Sequence, residues 1–247
     1  MFNYDAPADL LQNKVILVTG AGSGIGRTAA LTYARHGATV ILLGRTISKL
    51  EAVYDEIENN GWPQAAIYPM NLEGAREQDY ASLAATLERE FGHLDGLLNN
   101  AGLLGELKPI AQYDAETWHR VMQVNLNAPF LLTRELLPLL RTAEQASVIF
   151  TSSTVGHEGR ANWGAYSVSK FATEGLMQTL ADEEDGISQV RINSLNPGAT
   201  RTAMRATAFP AEASDASAPP EEIMPLYLYL IGKDSLGVSG KAFHAQR

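Results

Sequence analysis

The sequence contains no cysteine among its 247 residues. This absence excludes disulfides, cysteine-ligated zinc, iron–sulfur clusters and a thiol nucleophile. Any redox chemistry must therefore depend on a bound cofactor. The five histidines, at positions 36, 93, 119, 157 and 244, do not show the spacing of metal ligands, so we expect no catalytic metal.

Basic residues are also scarce relative to acidic ones. The chain has 19 Lys and Arg against 28 Asp and Glu, and its net charge of −9 has the wrong sign for binding a nucleic-acid backbone. No uninterrupted apolar stretch reaches the roughly 18 residues that indicate a membrane-spanning helix. Residues 1–14 lack the basic start and apolar run of a secretory signal. We therefore expect a cytoplasmic protein that binds neither nucleic acid nor membrane.

The hydrophobic residues, 45% of the chain, fall into a regular alternation of short and long segments. Short aliphatic runs predict strands at 14–19, 38–43, 65–69, 96–99, 147–151 and 190–195. Longer amphipathic stretches predict helices at 25–36, 46–59, 76–91, 115–141 and 165–184. This order predicts an α/β fold with a doubly wound parallel sheet, the Rossmann fold, and the length fits a single domain over 1–247.

The segment 199–220 differs in composition from the rest of the chain. It is rich in Ala, Thr, Ser and Pro, which predicts a mobile flap near the substrate site. A helical stretch at 223–231 and a short run at 241–244 follow it. In sheets of this kind ligands bind beyond the carboxyl ends of the strands, so functional residues are expected just after strands.

A glycine-rich turn, VTGAGSGIG at 18–26, joins the first strand to the first helix. Gly20 allows a sharp turn, Gly24 lets the backbone approach a pyrophosphate, and Gly26 lets helix and sheet pack closely. The helix N-terminus then faces the anion. The turn predicts dinucleotide binding, although a strand–turn–helix connection without a ligand remains the alternative.

The end of the second strand bears on the choice of cofactor. An acidic residue there would accept hydrogen bonds from a ribose 2′-hydroxyl, but the chain has Gly44 followed by Arg45. A cation favours the 2′-phosphate of NADP(H). If Arg45 is only a solvated surface residue, NAD(H) is the alternative. Asn71, after the third strand, is open to either interpretation.

The segment AYSVSKF at 165–171 places Tyr166 and Lys170 on one face of a helix. A phenol has a pKa near 10, so Tyr166 needs a nearby cation to exchange protons at neutral pH, and Lys170 can supply it. Ser153, at the end of the fifth strand, could orient a substrate oxygen. A surface Tyr/Lys pair and a capping Ser are the alternatives for each residue taken singly.

Two amide side chains support the same site. Asn99 precedes Asn100, Ala101 and Gly102 after the fourth strand, where they could line the cofactor cleft. Asn125 lies in a helical pattern four residues before Pro129, which cannot donate to the carbonyl of Asn125. The disturbed helix could hold a water, or Asn125 could cap a local kink.

Together these residues resemble the short-chain dehydrogenase/reductase family, and the resemblance extends from 14 to 246. It implies an oxidoreductase that transfers hydride between NADP(H) and a carbonyl or alcohol substrate, with Tyr166 as the acid/base. Within the family, the runs FTSSTVGHEGRANWGAYSVSKFATEG and NPGATRTAMRATAFP are most similar to the bacterial YciK-type oxidoreductases.

The resemblance implies a catalytic tetrad of Asn125, Ser153, Tyr166 and Lys170. Asn125 would position a water that links Lys170 to solvent. The implied cofactor-binding residues are Thr19, Gly20, Ser23, Gly24, Ile25, Gly26, Arg45, Asn71, Leu72, Asn99, Ala101, Gly102, Tyr166, Lys170, Pro197, Gly198, Thr200 and Thr202. In two places the chain departs from the family's pattern: Ser23 stands where NADP(H)-binding members often carry a basic residue, and Asn71 stands where Asp is common.

The resemblance also implies assembly into a homodimer or homotetramer through the helices that hold Asn125 and Tyr166. Three rival functions keep the same fold. The first is a catalytically silent nucleotide sensor or scaffold, and the second is an NAD(H)-preferring dehydrogenase. The third, a nucleotide-sugar epimerase or dehydratase, usually has a longer carboxyl-terminal domain than the residues after Asn196 allow.

Overall fold

The computed structural model describes residues 1–213 and 215–246, in which strands and helices alternate. The strands are β1 (Val15–Thr19), β2 (Thr39–Gly44), β3 (Ala66–Pro69), β4 (Gly96–Asn99), β5 (Ala146–Thr151), β6 (Val190–Asn196) and β7 (Ala242–His244). The α-helices are α1 (Gly24–Arg35), α2 (Ile47–Asn59), α3 (Glu77–Phe91), α4 (Ala115–Met122), α5 (Ala128–Thr142), α6 (Gly164–Glu184), α7 (Ala203–Ala208) and α8 (Met224–Ile231).

The seven strands form one parallel sheet in the order β3-β2-β1-β4-β5-β6-β7. Strand β1 pairs with β2 on one side, where Leu17 lies opposite Ile41, and with β4 on the other, where Leu17 lies opposite Leu97. The chain order reverses between β1 and β4, so the loops after these strands diverge and leave a crevice. The predicted doubly wound α/β fold is confirmed.

Helices cover both faces of the sheet because its strands are apolar on both faces. On one face, Val18 and Leu42 pack with residues of α1, α2 and α8, including the fully buried Tyr33. On the other, Leu17 and Phe150 pack with residues of α3, α5 and α6. Successive strand residues thus serve opposite layers, which fixes the register of β1 and the position of the turn that follows it.

The single helix predicted over 115–141 is interrupted. Helix α4 ends at Met122, a π-helical turn covers Gln123–Asn127, and α5 begins at Ala128. Pro129 has no N–H to donate to the carbonyl of Asn125, which removes one α-helical hydrogen bond at this point. The predicted disturbance is therefore a widened turn, a feature common at functional sites.

The segment predicted as a flap, 199–220, is tied together at its base. Thr200 bridges Ala218, and the backbone N–H of Arg201 donates to the carbonyl of Ala218 at 2.8 Å. Helix α7 follows this base and begins at the side-chain cap of Thr202. The mobility of this segment stays a prediction. None of the helices in the described residues is long and apolar enough to cross a membrane.

Candidate active site

A continuous cleft runs along the carboxyl ends of β1, β2, β4, β5 and β6. It consists of a larger cavity of about 720 Å³ and a smaller one of about 220 Å³. Four residues line both cavities: Gly20, Ser23, Ala101 and Gly102. The glycine-rich turn and the loop after β4 therefore form the boundary at which the two cavities meet.

The glycine-rich turn needs its glycines for two different reasons. Gly20 and Gly24 adopt φ values of +69° and +53°, which side chains rarely adopt. Gly26 has an ordinary φ, but a Cβ there would clash with the carbonyl oxygen of Gly20. Ser23 makes no side-chain cap to α1. The first N–H groups of this 12-residue helix are therefore left for an anion beside the turn.

Thr19 and Asn99 lie beneath the cleft and do not line either cavity. The Thr19 hydroxyl oxygen accepts hydrogen bonds from the backbone N–H groups of Asn100 and Ala101, both at 2.9 Å. The amide of Asn99 donates to Thr133 at 3.1 Å. Thr19 thus binds the loop after β4 beside the glycine-rich turn, and Asn99 joins β4 to α5. Their contacts with a cofactor stay predictions.

The smaller cavity has a basic rim. Arg45, Asn71 and Leu72 line it as predicted, and so does Lys49, which the sequence analysis missed. Arg45 and Lys49 are both exposed at the start of α2. The amide oxygen of Asn71 accepts a hydrogen bond from the backbone N–H of Glu73 at 3.3 Å, so its side chain is partly committed within its own loop.

The hydroxyl-bearing residues Ser153 and Tyr166 line the larger cavity together with Lys170. Tyr166 is only 8% exposed, although its ring forms part of the cavity wall. Burial raises the pKa of Tyr166 above 10.0, and a side-chain hydrogen bond with Ser153 opposes the rise. The pairing with Lys170 predicts a lowered pKa for Tyr166, whereas in the structure burial raises this pKa and favours the protonated phenol.

Lys170 lies one helical turn after Tyr166 and is buried at 4% exposure. Its Nζ donates to the carbonyl oxygen of Thr151 at 2.6 Å and lies 5.7 Å from the centroid of the Tyr166 ring. Burial lowers the pKa of Lys170 to about 8, and the charge of Glu174 opposes that decrease. The amine can therefore lose its proton close to neutral pH.

Asn125 does not line the cavities; its buried side chain joins three segments behind them. The side-chain oxygen accepts from the N–H of Leu103 at 2.7 Å, and the side-chain nitrogen donates to the Leu103 carbonyl at 2.9 Å and to the Ser169 hydroxyl at 3.0 Å. Its backbone carbonyl accepts from Thr173 at 3.3 Å. Asn125 thus fixes the loop after β4 to α6, and its role with a water stays a prediction.

The segment after β6 forms the wall opposite the glycine-rich turn, and Gly198 adopts a φ of +72° there. Two residues that the sequence analysis missed hold it in place. The side-chain oxygen of Asn196 accepts from the N–H of Gly198 at 3.0 Å. Gln246 donates to the carbonyls of Pro197 and Ala199 at 2.8 and 3.0 Å. Only Asn196 had a sequence signal, its place directly before Pro197-Gly198.

Part of the larger cavity is lined by apolar side chains that pack around Tyr166. Its walls there include Leu104, Val155, Trp163, Met204 and Phe209. The rings of Trp163 and Tyr166 lie 5.8 Å apart, and those of Trp163 and Phe209 lie 5.9 Å apart. This aromatic wall therefore continues directly from the phenol.

The structure brings most of the predicted site residues to the cleft. Those lining it are Gly20, Ser23, Gly24, Ile25, Arg45, Asn71, Leu72, Ala101, Gly102, Ser153, Tyr166, Lys170, Pro197, Gly198, Thr200 and Thr202. Those outside both cavities are Thr19, Gly26, Asn99 and Asn125. Within 1–213 and 215–246, no cluster of three or more His, Asp or Glu side chains could hold a metal ion.

Comparisons with known proteins identify the family of the chain. The family model for short chain dehydrogenases matches residues 14–213. The oxidoreductase YciK of Escherichia coli strain K12 is 50% identical over 244 residues, which cover 99% of this chain and 96% of that protein.

Solved structures are similar over the whole fold. A short chain dehydrogenase from Pseudomonas syringae is 58% identical with a TM-score of 0.98, and the match covers 100% of both chains. A short chain dehydrogenase from Escherichia coli CFT073, solved in complex with NADPH, is 51% identical with a TM-score of 0.95, covering 98% of this chain and 100% of that one. The chain therefore belongs to the short-chain dehydrogenase family and is an oxidoreductase of that type.

Proposed function

We propose that this protein interconverts a carbonyl compound and its alcohol with NADP(H), using Tyr166 as the proton donor and acceptor. The observation that carries the proposal is the position of the Tyr166 and Ser153 side chains, in the cavity that opens onto the glycine-rich turn. A phenol and a hydroxyl at one end of a dinucleotide cleft can bind a single carbonyl oxygen between them.

The residues of the cleft fit a dinucleotide. A Cβ on Gly24 would lie 3.3 Å from Thr202, so a side chain there has little space. The passage between the glycine-rich turn and the segment after β6 is therefore narrow. The larger cavity extends from this passage to Tyr166, and the smaller one extends to Arg45. A pyrophosphate at the turn would therefore place one nucleoside in each cavity.

The dinucleotide supplies the hydride in reduction and accepts it in oxidation. Tyr166, whose pKa is raised by burial, holds its proton until a substrate oxygen gains negative charge, and donates it there. Ser153 orients the same oxygen. Lys170 places a positive charge behind the phenol and is close enough to the cleft to bind the ribose on that side. The carboxamide group of the bound nicotinamide would be held by the segment after β6, through Pro197, Gly198, Thr200 and Thr202.

Preference for NADP(H) over NAD(H) is supported by the basic rim of the smaller cavity. Arg45 and Lys49 line it, and a ribose 2′-phosphate bound there would be attracted to both cations. The related Escherichia coli CFT073 structure contains NADPH. If NAD(H) is the natural cofactor, the two cations serve only as solvated surface residues.

The substrate is proposed to be a small carbonyl or alcohol compound with an apolar body. Trp163, Met204 and Phe209 would cover that body, and the flap at 199–220 would order over it. Arg205, which lines the same cavity, forms two hydrogen bonds to the carboxylate of Glu212, at 2.7 and 2.6 Å. It is therefore already neutralised and offers little to an anionic substrate.

We also propose that the protein forms a homodimer or homotetramer through α5 and α6. Exposed apolar side chains lie on both helices: Phe130 and Phe171 are each 44% exposed and Val168 is 40% exposed. Association would remove them from water. Sedimentation as a monomer at micromolar concentration would rule this out.

A panel of aldehydes and ketones, read by the loss of NADPH absorbance, tests the proposed activity. NADPH consumption that depends on one class of apolar carbonyl compound is expected, with slower consumption of NADH. A silent nucleotide sensor would bind NADPH, detected by fluorescence, and consume none with any compound. An epimerase would convert its substrate with no net loss of the cofactor.

A further inference from the structure

Helix α6 carries a buried carboxylate that the proposed chemistry does not use. Glu174 lies one helical turn after Lys170 and is 4% exposed. Burying a carboxylate is costly unless it is hydrogen bonded or paired with a cation. Its contacts therefore indicate what it does for the neighbouring site.

Glu174 has few partners for a group so deeply buried. Its Oε2 accepts a hydrogen bond from the Ser194 hydroxyl on β6 at 2.8 Å. Its Oε1 lies 3.2 Å from Nε2 of His157, which is its only ion-pair contact among the described residues. Within the same part of the chain, Glu174 forms no ion pair with Lys or Arg. Lys170, one helical turn before Glu174, is the only Lys or Arg on α6.

A second buried carboxylate on α6 is stabilised by a direct ion pair. Glu184 is 2% exposed, and both of its oxygens bind the guanidinium of Arg141. Ser188 donates to it as well, at 2.7 Å. Glu184 is thus neutralised by a direct partner, whereas Glu174 has no Lys or Arg in direct contact among the described residues.

We propose that Glu174 is a positioning residue that keeps Lys170 protonated in the wall of the larger cavity. The proposal deepens the proposed function, since the charge of Lys170 matters only if Tyr166 exchanges protons beside a cofactor. The Lys170 amine is buried and its described hydrogen bond goes to a neutral carbonyl, that of Thr151. A neutral acceptor offsets only part of the cost of burying the cation, and a carboxylate one turn away offsets a further part.

The other ionisable groups around this pair are limited in the described chain. Tyr166 and Glu174 belong to α6 itself, and His157 approaches from the segment after β5. The ring of His244, on β7, lies 5.4 Å from that of His157. The Nδ1 atom of His244 is 3.1 Å from the side-chain nitrogen of Asn196, so it is an acceptor there. Within this group, Glu174 is the only carboxyl group.

Nuclear magnetic resonance of ¹³Cε-lysine in the whole protein tests the proposal without a substrate or cofactor. The Lys170 signal, assigned by its loss in Lys170→Met, is followed from pH 6 to pH 11. In Glu174→Gln, which preserves size and can still accept from Ser194, the Lys170 midpoint is expected to fall by about one pH unit or more. An unchanged midpoint overturns the proposal.

Two control variants separate charge from packing. Glu184→Gln removes the other buried carboxylate of α6 and should leave the Lys170 midpoint unchanged. Ser194→Ala removes the hydrogen bond to Glu174 but keeps the carboxylate, so the midpoint should again stay close to that of the wild type. A decrease in Ser194→Ala as large as that in Glu174→Gln would mean that the hydrogen bond, and not the charge, controls Lys170.

A measurement on the wild-type protein covers the case in which Glu174→Gln does not fold. The side-chain carboxyl ¹³C signal of Glu174 should shift with the same midpoint as Lys170, because the two charges sense each other. A carboxyl signal that does not respond overturns the proposal. These titrations involve no turnover. If Glu174 and Lys170 titrate together but the protein reduces no carbonyl compound, only the proposed function is contradicted.

Discussion

The two cavities of the cleft differ in how their charged and polar groups are held. In the larger one, Tyr166 and Lys170 are buried, and Lys170 is hydrogen bonded to the backbone of β5. In the smaller one, Arg45 and Lys49 are exposed at the edge of β2 and α2. Chemistry needs groups fixed in place, whereas discrimination between two cofactors needs only charge of the right sign. Substitutions at the two ends should therefore affect different quantities.

The largest expected effect on activity comes from the buried residues of the larger cavity. Tyr166→Phe removes the proton donor and little volume, so kcat for carbonyl reduction should fall about a hundredfold or more. The Kd for NADPH, measured by fluorescence, should change little. Trp163→Phe, which alters the adjoining wall, is the matched control and should mainly raise KM. A Tyr166→Phe variant that keeps the parent kcat would contradict the assigned role.

The turn between the cavities should affect both ends at once. In Gly26→Ala the added Cβ clashes with the Gly20 carbonyl, which forces the turn or α1 to shift. We expect a loss of about 1–3 kcal/mol in the free energy of unfolding and a higher Kd for both NADPH and NADH. Gly74→Ala, where a Cβ meets no atom within 4 Å, is the control. Equal urea midpoints for the two variants would be inconsistent with the close contact.

The exposed cations of the smaller cavity should control the preference for NADPH over NADH with little effect on kcat. Arg45→Asp should lower the ratio of kcat/KM for NADPH to that for NADH about tenfold or more, since charge-assisted hydrogen bonds contribute about 1.5–3 kcal/mol. Lys49→Ala should lower it in the same direction by less. Arg35→Asp, at the far end of α1, makes the same charge change away from the cleft and should leave the ratio as it is. If Arg45→Asp also leaves it unchanged, the 2′-phosphate binds elsewhere.

The pH dependence of kcat/KM should reflect the buried Lys170 and Tyr166 of the larger cavity. The pKa of Lys170 is lowered to about 8 while that of Tyr166 is raised, so the alkaline decrease of kcat/KM should follow Lys170 and lie near pH 8. Arginine stays charged across this range, so any activity left in Lys170→Arg should no longer decrease there. A decrease at the same pH in both proteins would assign it to another group.

The smallest effect concerns stability. Because the pKa of Lys170 is lower in the folded protein than its usual 10.5, the unfolded chain binds more protons between about pH 8 and 10.5. The contribution of this group to the free energy of unfolding therefore rises with pH across that window. Urea unfolding at the two pH values should show a smaller increase in Lys170→Met than in the wild type. An identical increase would mean that the group does not titrate this way.

The sequence was sufficient where local chemistry determines structure. Alternating apolar segments predicted the order of the strands along the chain, and the glycine spacing predicted the turn after β1. It was not sufficient for contacts between distant segments. Gln246 reaches the segment after β6, and Thr151 binds Lys170 through a backbone carbonyl that no side-chain pattern reveals. The π turn at Gln123–Asn127 was predicted only as a disturbance, since Pro129 shows which hydrogen bond is lost and not how the helix adjusts.

Burial was the property hardest to predict. The pairing of Tyr166 with Lys170 suggested a phenol with a lowered pKa, but the extent to which α6 and the wall around Trp163 cover it determines the opposite direction. Likewise, the motif positions of Thr19 and Asn99 do not reveal their hydrogen bonds, which join Thr19 to the loop after β4 and Asn99 to α5.

A crystal structure of this protein with NADPH tests most directly whether one cofactor spans both cavities. The nicotinamide ring is predicted to lie in the larger cavity beside Tyr166 and Ser153, with the 2′-phosphate against Arg45. A 2′-phosphate that contacts neither Arg45 nor Lys49, or a nicotinamide ring that lies beyond reach of the Tyr166 hydroxyl, would contradict this assignment.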